Sequence, residues 1–400
     1  MLINKKMIEK QMLIETTEKL EELCQTLAHE EFICIDLEFL REHTYFAKPC
    51  LIQIASVSTA AAVDPLAHRL DLTSFFALLQ NQNIVKVFHS GRQDIEILYN
   101  LSSQIPTPLF DTQIAAQAFG FGESVSYENL VSRLLHIELD KSSRLSDWSR
   151  RPLSDEQIKY ALADVTHMVN LYQRLKGRLE KEGKQSWIQD ELDELADISL
   201  YQINPADVWQ KMRHRSHSPL FLTTLRELAA WREKRAISKN VPRQSFIKDD
   251  ILLNICAARP HTKQDLAAIR GMRADIAAGK IGDEIIEILQ KVNALDKTEY
   301  VALPKSTELS SGEQSLLELL KLLLKLTAQK ENIVPKMIAS EDDLKQFCQN
   351  HTCSVKFLQD WRYEVFGKYA QNLCCGKTAI AYNDKTRKID FISLPEEPLE

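Results

Sequence analysis

Long uncharged apolar runs are missing from this 400-residue sequence. The most leucine-rich segment, Leu316 to Leu326, is broken by Glu318, Lys321 and Lys325 at helical spacing, so it reads as an amphipathic helix and not a membrane span. The opening residues, MLINKKMIEK, hold none of the apolar core of a secretory signal. Cysteine pairs are missing too. The eight cysteines are scattered, with no C-x-x-C spacing and no regular framework, as expected of a protein kept in the reducing cytoplasm. One group, Cys348, His351, Cys353, Cys374 and Cys375, has zinc-type chemistry but the spacing of no common finger. Buried free thiols in a helical domain account for it. No GxxxxGK[ST] loop is present, which argues against an ATP-driven helicase. A basic balance is lacking as well: 50 Lys and Arg face 56 Asp and Glu, a net charge of −6, which at first sight speaks against a nucleic-acid partner.

Resolved along the chain, the charge reads differently. Between Ala206 and Leu295 there are sixteen Lys and Arg against ten Asp and Glu, so this stretch is basic and the remainder strongly acidic. Such asymmetry suggests a substrate-contacting module beside an acidic unit that calls for cations, although a solvated charged face would give the same count. With 44% hydrophobic and 26% charged residues, each part can bury a core of its own.

The first two hundred residues carry strand signals. Glu31–Phe39, Cys50–Val57, Ala60–Val63 and Ile84–Phe88 are short runs rich in β-branched and aromatic residues. Helical periodicity follows at Gln93–Tyr99 and around 112–120, 126–136 and 155–180. Strands first, then strand–helix alternation, predict an α/β mixed sheet flanked by helices on both faces. From about Asp193 the strand signals fade. Leu220–Ser238, Lys248–Ala258, Thr262–Ile269 and Gly282–Val292 read as short amphipathic helices, and a polar stretch over 296–314 reads as a linker. A second all-helical unit is expected from Ser315 to about Leu373, followed by a hairpin or a loose tail. The expected division is 1–205, 206–295, the linker 296–314, and 315–400.

Within the α/β part, carboxylates fall in a pattern. Asp36 and Glu38 are two apart on a strand and leave the same face, while Ile33, Ile35, Leu37 and Phe39 take the other. Two like charges on one face repel, and a divalent cation would resolve the conflict. An edge strand showing a polar face to water would produce the same pair. Asp94, in HSGRQD, lies in the first turn of a helix, where the dipole favours any acid. Asp111, in LFDT, at another strand–helix junction, is its rival. Ser154-Asp-Glu-Gln157 opens a helix with a capping box. Inside that helix Tyr160 and Asp164 stack one turn apart, with Ala161 and Ala163 leaving room beside them. Taken together, Asp36, Glu38, Asp94 and Asp164 could neutralise two divalent cations. Two such ions about 3.5–4 Å apart form a clamp for in-line displacement at phosphorus. Oxygen-only ligands suit Mg²⁺ or Mn²⁺, and Tyr160 could hold the attacking water.

Asp36-x-Glu38, Asp94 in HSGRQD and Tyr160-x-x-x-Asp164 together resemble the ribonuclease D family of tyrosine-type DEDD 3′→5′ exonucleases. So does the wider wording: DLEF, LIQIA around Gln53, LFDTQ, and LDKSSRLSDWSRRPLSDEQIKYALAD from Leu139 to Asp164. Segments 220–271 and about 315–373 resemble HRDC domains, small helical bundles also found in RecQ-type helicases. The resemblance implies a ribonuclease-H-like exonuclease domain followed by two all-α HRDC bundles, in a monomer. It implies Asp36, Glu38, Asp94 and Asp164 as ligands of two Mg²⁺ or Mn²⁺ ions, with Tyr160 positioning water. The implied substrates are RNA chains such as tRNA precursors with 3′ extensions, and the products nucleoside 5′-monophosphates. The histidine-type branch has a histidine where Lys159 stands here, which disfavours it. Candidate nucleic-acid contacts are Gln53, His89, Arg150 and Arg151 near the site, and Arg232, Lys234, Arg235, Lys239 and Arg243 on the first helical module. A DNA exonuclease shares the same metal chemistry, and a non-catalytic nucleic-acid scaffold is the alternative of another class.

Overall fold

A computed structural model describes residues 13–140, 146–216, 218–302 and 308–394. The opening decapeptide, residues 141–145 of the LDKSSRL run, residues 303–307 of the expected linker and the tail from 395 lie outside the described residues.

The N-terminal unit is built on six strands: β1 (Leu13–Ile14), β2 (Phe32–Leu40), β3 (Lys48–Ala55), β4 (Ala60–Val63), β5 (Val85–Phe88) and β6 (Leu109–Asp111). They lie in the order β1-β4-β3-β2-β5-β6. The β2–β3 and β3–β4 pairs are antiparallel, and β1–β4, β2–β5 and β5–β6 are parallel, so the sheet is mixed as expected. Its helices are α1 (Thr17–Leu27), α2 (Thr73–Leu79), α3 (Arg92–Ser102), α4 (Thr112–Gln117), α5 (Tyr127–Leu135), α6 (Asp155–Glu182) and α7 (Gln189–Ala196). The alternation along β2 sorts its side chains. Ile33, Ile35 and Leu37 pack with Leu20 and Leu23 of α1, Phe75 of α2 and Ile95 and Leu98 of α3. Phe32 and Cys34 pack on the opposite side with Val165, Met168 and Val169 of α6. Asp36 and Glu38 continue that second side, toward the N-terminal half of α6. The period of two thus decides which layer meets the carboxylates.

The first helical module runs through α8 (Pro219–Lys239), α9 (Arg243–Phe246), α10 (Asp249–Ala258), α11 (Lys263–Ala267), α12 (Ala274–Ala278) and α13 (Lys280–Asn293). It has a core of its own, with Leu225, Leu228, Leu252, Ile255, Ile285 and Leu289 at its centre. The second helical unit opens with α14 (Ser311–Glu331), which begins inside the stretch read as a linker because Ser310 and Glu313 form a capping box. Its core is not separate. Leu320, Leu323, Phe347 and Phe366 belong to one buried cluster with Phe119, Val169 and Leu175 of the α/β unit. Trp187 and Trp361 stack across this junction at 4.4 Å, and the buried Arg362 pairs there with Asp190 and Glu191. The described residues close on a hairpin, β7 (Thr378–Asn383) with β8 (Lys388–Ser393), the first of the two alternatives for this segment. Among the described residues no helix is long and apolar enough to cross a membrane.

Candidate active site

Asp36, Glu38 and Asp164 each place one carboxylate oxygen within 4.8 Å of the others, and among the described residues no other three potential ligating groups come together so closely. Two come from β2, the third from α6, whose register follows from its cap: the Ser154 hydroxyl accepts from the Gln157 amide and the Gln157 side chain returns to the Ser154 amide. Tyr160 hydrogen-bonds to the Asp164 carboxylate one turn on. These residues line a cleft of about 430 Å³ with His89, Tyr127, Leu139 and Met168.

Carboxylates this close together in a buried place raise one another's proton affinity. Burial pushes the Asp36 carboxyl up to about 6. Burial, then the charges of Asp36 and Asp164, raise Glu38 to about 9. Such a set is costly to ionise in isolation, and a divalent cation offsets that cost directly. Hard carboxylate oxygens at this spacing fit Mg²⁺ or Mn²⁺. Burial and the same carboxylates hold the Tyr160 phenol protonated, so it serves as a hydrogen-bonding group and not as a base.

Asp94 and Asp111 now separate. Asp111 caps α4, and its two oxygens accept from the amides of Ser90 (3.1 Å), Gly91 (2.8 Å), Gln113 (2.7 Å) and Ile114 (3.3 Å). It is an organiser of the 88–91 turn. That turn needs a glycine: a Cβ on Gly91 would lie 2.4 Å from Cβ of Phe88. Asp94 follows in the first turn of α3, 7% exposed. Burial first, then Asp36, Asp111 and Glu38, hold its carboxyl protonated well above the usual range. It stands beside the cluster rather than inside the 4.8 Å group.

Several expected nucleic-acid contacts have other work. Gln53 pairs in register with Asp36 across β2–β3 and is fully buried, with no hydrogen-bond partner for its amide. A nucleotide cannot reach it in this form. His89 is held by Thr112 Oγ1 (2.9 Å) and the Val125 carbonyl (3.1 Å), so it walls the cleft. Arg151 grips both oxygens of the buried Asp64, at 2.6 Å each, and the carbonyls of Cys50, Trp148 and Arg150. Arg232 is 1% exposed, paired with Asp249 at 2.7 Å and bonded to the Ile247 carbonyl. Arg235 forks onto Glu284, and Arg243 pairs with the buried Glu233 at 3.1 Å. Arg232 is too enclosed to meet a phosphate, which corrects that reading, whereas Arg151, Arg235 and Arg243 are partly exposed and already engaged with an acid. Arg150, Lys234 and Lys239 are exposed, as a phosphate contact requires.

Tyr127 is the residue that sequence reasoning missed. Its hydroxyl donates to the backbone carbonyl of Asp164 and its ring meets His89 edge-on at 5.3 Å. The signal was available: Ser126 caps α5 and Tyr127 is its first residue. In the cysteine group Cys348 is buried, Cys353 and Cys374 are half-buried and Cys375 is exposed, so the expectation of buried thiols fails for the last.

A 3′-5′ exonuclease family model matches residues 11–180, and an HRDC domain model matches residues 221–289. Ribonuclease D of Bartonella henselae is 40% identical over 368 residues, covering 91% of this chain and 90% of that protein. Ribonuclease D of Granulibacter bethesdensis is 40% identical over 378 residues, with 94% and 96% covered. Among solved structures, Escherichia coli RNase D superposes with a TM-score of 0.80 at 24% identity, over 92% of this chain and 99% of that one.

Proposed function

The chain belongs to the ribonuclease D family and is a 3′-5′ exoribonuclease; from that premise we propose that it trims 3′ extensions of structured RNA such as tRNA precursors, using two divalent cations. Asp36, Glu38, Asp94 and Asp164 are the ligands in this reading, and Mg²⁺ or Mn²⁺ the ions. The observation that carries it is the convergence of three carboxylates from a strand and a distant helix within 4.8 Å, with a tyrosine bonded to one of them.

When bound, the cations lower the proton affinity of a water and neutralise charge on the scissile phosphate and the leaving 3′ oxygen. The chain's own residues do the rest. Asp36 and Glu38 are carried on β2 and Asp164 on the capped α6, so the ligand oxygens are brought together before substrate arrives. Tyr160, kept protonated, donates toward the attacking oxygen or holds its lone pair in line with phosphorus. Tyr127 pins the Asp164 backbone from behind. Exposed Arg150, Lys234 and Lys239 supply phosphate contacts that release counterions on binding. The second helical unit reads as a further HRDC-like bundle whose apolar side is covered within the same chain, which supports a monomer. The cytoplasm, where its substrates are, is the proposed location.

A denaturing-gel time course on a 5′-labelled, 3′-extended tRNA, with Mg²⁺ or EDTA, tests the reading. A ladder that shortens by single nucleotides, lost with EDTA and in Asp164→Asn, is expected, with weak inhibition by a matched DNA strand. Unchanged trimming by Asp164→Asn would refute the assignment of the carboxylates, and equal competition by DNA would refute the preference for RNA.

A further inference from the structure

Residues 41–47 join β2 to β3 directly beyond the strand segment that carries Asp36 and Glu38. The register of β2 on β3 shifts between Glu38 and Phe39, and beyond the shift only Phe39 and Leu40 pair, with Pro49, which has no N–H to donate, and Lys48. The loop that follows is held from elsewhere as well. At the near end, Arg41 forks onto Glu96 of α3 at 2.6 and 3.2 Å, on the helix that carries Asp94. At the far end the loop is held by the first helical module. Asn240 ends α8 in the left-handed conformation, with φ of 48°, and its Oδ1 accepts from the backbone amides of both Tyr45 (3.1 Å) and Phe46 (3.2 Å). The Tyr45 hydroxyl donates to Glu233 of α8, and Arg243 pairs with the same carboxylate oxygen.

Glu233 is fully buried at this junction and Tyr45 is 9% exposed. A buried carboxylate held by one phenol and one guanidinium tolerates little displacement, because any shift leaves a charge unpaired in a poorly solvated place. An apolar contact of equal area would slide. The junction therefore sets a position as well as an affinity, and the position it sets is that of the loop closing the strand with two of the three clustered carboxylates.

We propose that the first helical module is a positioning element of the active site, in which Asn240 and Glu233 fix residues 45–46 and so hold the Glu38 end of β2 in register with Asp164. This inference rests on the reading of Glu38 and Asp164 as ligands. Asn240, Glu233 and Tyr45 are positioning residues; none of them lines the cleft. The module thus affects turnover by a route separate from its exposed lysines, which affect binding.

The test uses the full chain with Asn240→Gly, which keeps the left-handed backbone but removes the acceptor, and Asn240→Asp, which keeps an oxygen in place. Three quantities are read: kcat, KM on a 3′-extended tRNA, and hydrogen-exchange protection of the Tyr45 and Phe46 amides. For Asn240→Gly we expect lost protection and a kcat reduced about tenfold or more, with KM within about twofold; Asn240→Asp should restore both. Protection retained, protection lost with kcat unchanged, or a raised KM with kcat unchanged would each overturn the proposal. Tyr45→Phe, read by the same criteria, replaces Asn240→Gly if that variant does not fold. Glu38→Gln separates the two levels: if it remains active, the ligand reading fails, whereas an inactive Glu38→Gln beside a fully active Asn240→Gly fails this inference alone.

Discussion

Arg151 offers the sharpest separation between holding the fold and holding RNA, because its position just ahead of α6 suits either. Its guanidinium makes five hydrogen bonds of 2.6–2.9 Å, two to Asp64 and three to carbonyls. The Asp64 side chain is 3% exposed and that of Arg151 27%. Removing one member of a buried pair strands the other charge, and such losses run at about 3–5 kcal/mol. Arg151→Ala should therefore destabilise the α/β unit by about that much. At about 2–4 °C per kcal/mol for a unit of this size, its melting midpoint should fall by roughly 6–20 °C. Arg151→Lys should recover only part of this, since an ammonium cannot span both carboxylate oxygens and three carbonyls. Adding Asp64→Asn to Arg151→Ala should recover part as well, by removing the stranded charge. Calorimetry of the four proteins, with exchange protection of the β3 and β4 amides to assign the transition, measures this directly. Arg150→Ala is the control, with stability within about 0.5 kcal/mol of wild type and a salt slope of RNA binding shallower by about 1. If Arg151→Ala melts like wild type but binds RNA weakly, the clamp is not what this arginine does.

Four further outcomes follow from the same geometry. Tyr160→Phe should lower kcat by roughly 10²-fold with RNA affinity unchanged, and single-turnover kinetics beside equilibrium binding would expose the opposite pattern. Metal-free protein should lose stability as pH rises, because Glu38 is raised from 4.5 to about 9 and Asp36 from 3.8 to about 6. A raised folded-state pKa gives full stability below the unfolded value, lost on the way up to the folded one. The gain in melting temperature from Mg²⁺ should accordingly be larger at pH 8.5 than at pH 6, and a gain independent of pH would contradict the cluster's electrostatics. Gly91→Ala should cost about 1–3 kcal/mol and most activity, since its Cβ meets Phe88 at 2.4 Å in the turn that presents Asp94. Lys234→Glu with Lys239→Glu should weaken RNA binding most at low salt without moving the melting curve, whereas Arg232→Ala, which empties a buried site and leaves the Ile247 carbonyl without its donor, should lower stability by about 2–4 kcal/mol; a variant as stable as wild type would contradict that structural role.

How much of this was legible in the sequence depends on the range of the interaction concerned. Asp36 and Glu38 share a face because a strand alternates, and Tyr160 and Asp164 share one because a helix turns in 3.6 residues; both are local rules. That β2 and α6 bring these pairs within 4.8 Å is not local. It follows from packing of Phe32 and Cys34 on Val165 and Met168 across more than a hundred residues, which no window of sequence contains. What separates Asp94 from Asp111 is equally invisible in a window of sequence: four backbone amides from two turns already occupy Asp111. Strands β1 and β6 escaped because two or three residues carry no periodicity.

The arginines of the first helical module show where the argument from charge fails. A cluster over 232–243 looks basic when read in order, but each guanidinium has found an acid: Asp249 for Arg232 and Glu284 for Arg235, outside the stretch, and Glu233 for Arg243, within it. Arginine's planar fork makes it the cation drawn into such pairs, while lysine's hydrated ammonium stays in water. The two exposed cations of that stretch without an ion pair among the described residues are indeed Lys234 and Lys239. The basic count of a small helical domain therefore overstates its surface charge by the arginines its own fold consumes. What the sequence presents as one RNA-facing patch divides into an unpaired, exposed pair of lysines and an acid-paired set of arginines that shapes the module and, through Glu233 and Arg243, contacts the loop between β2 and β3.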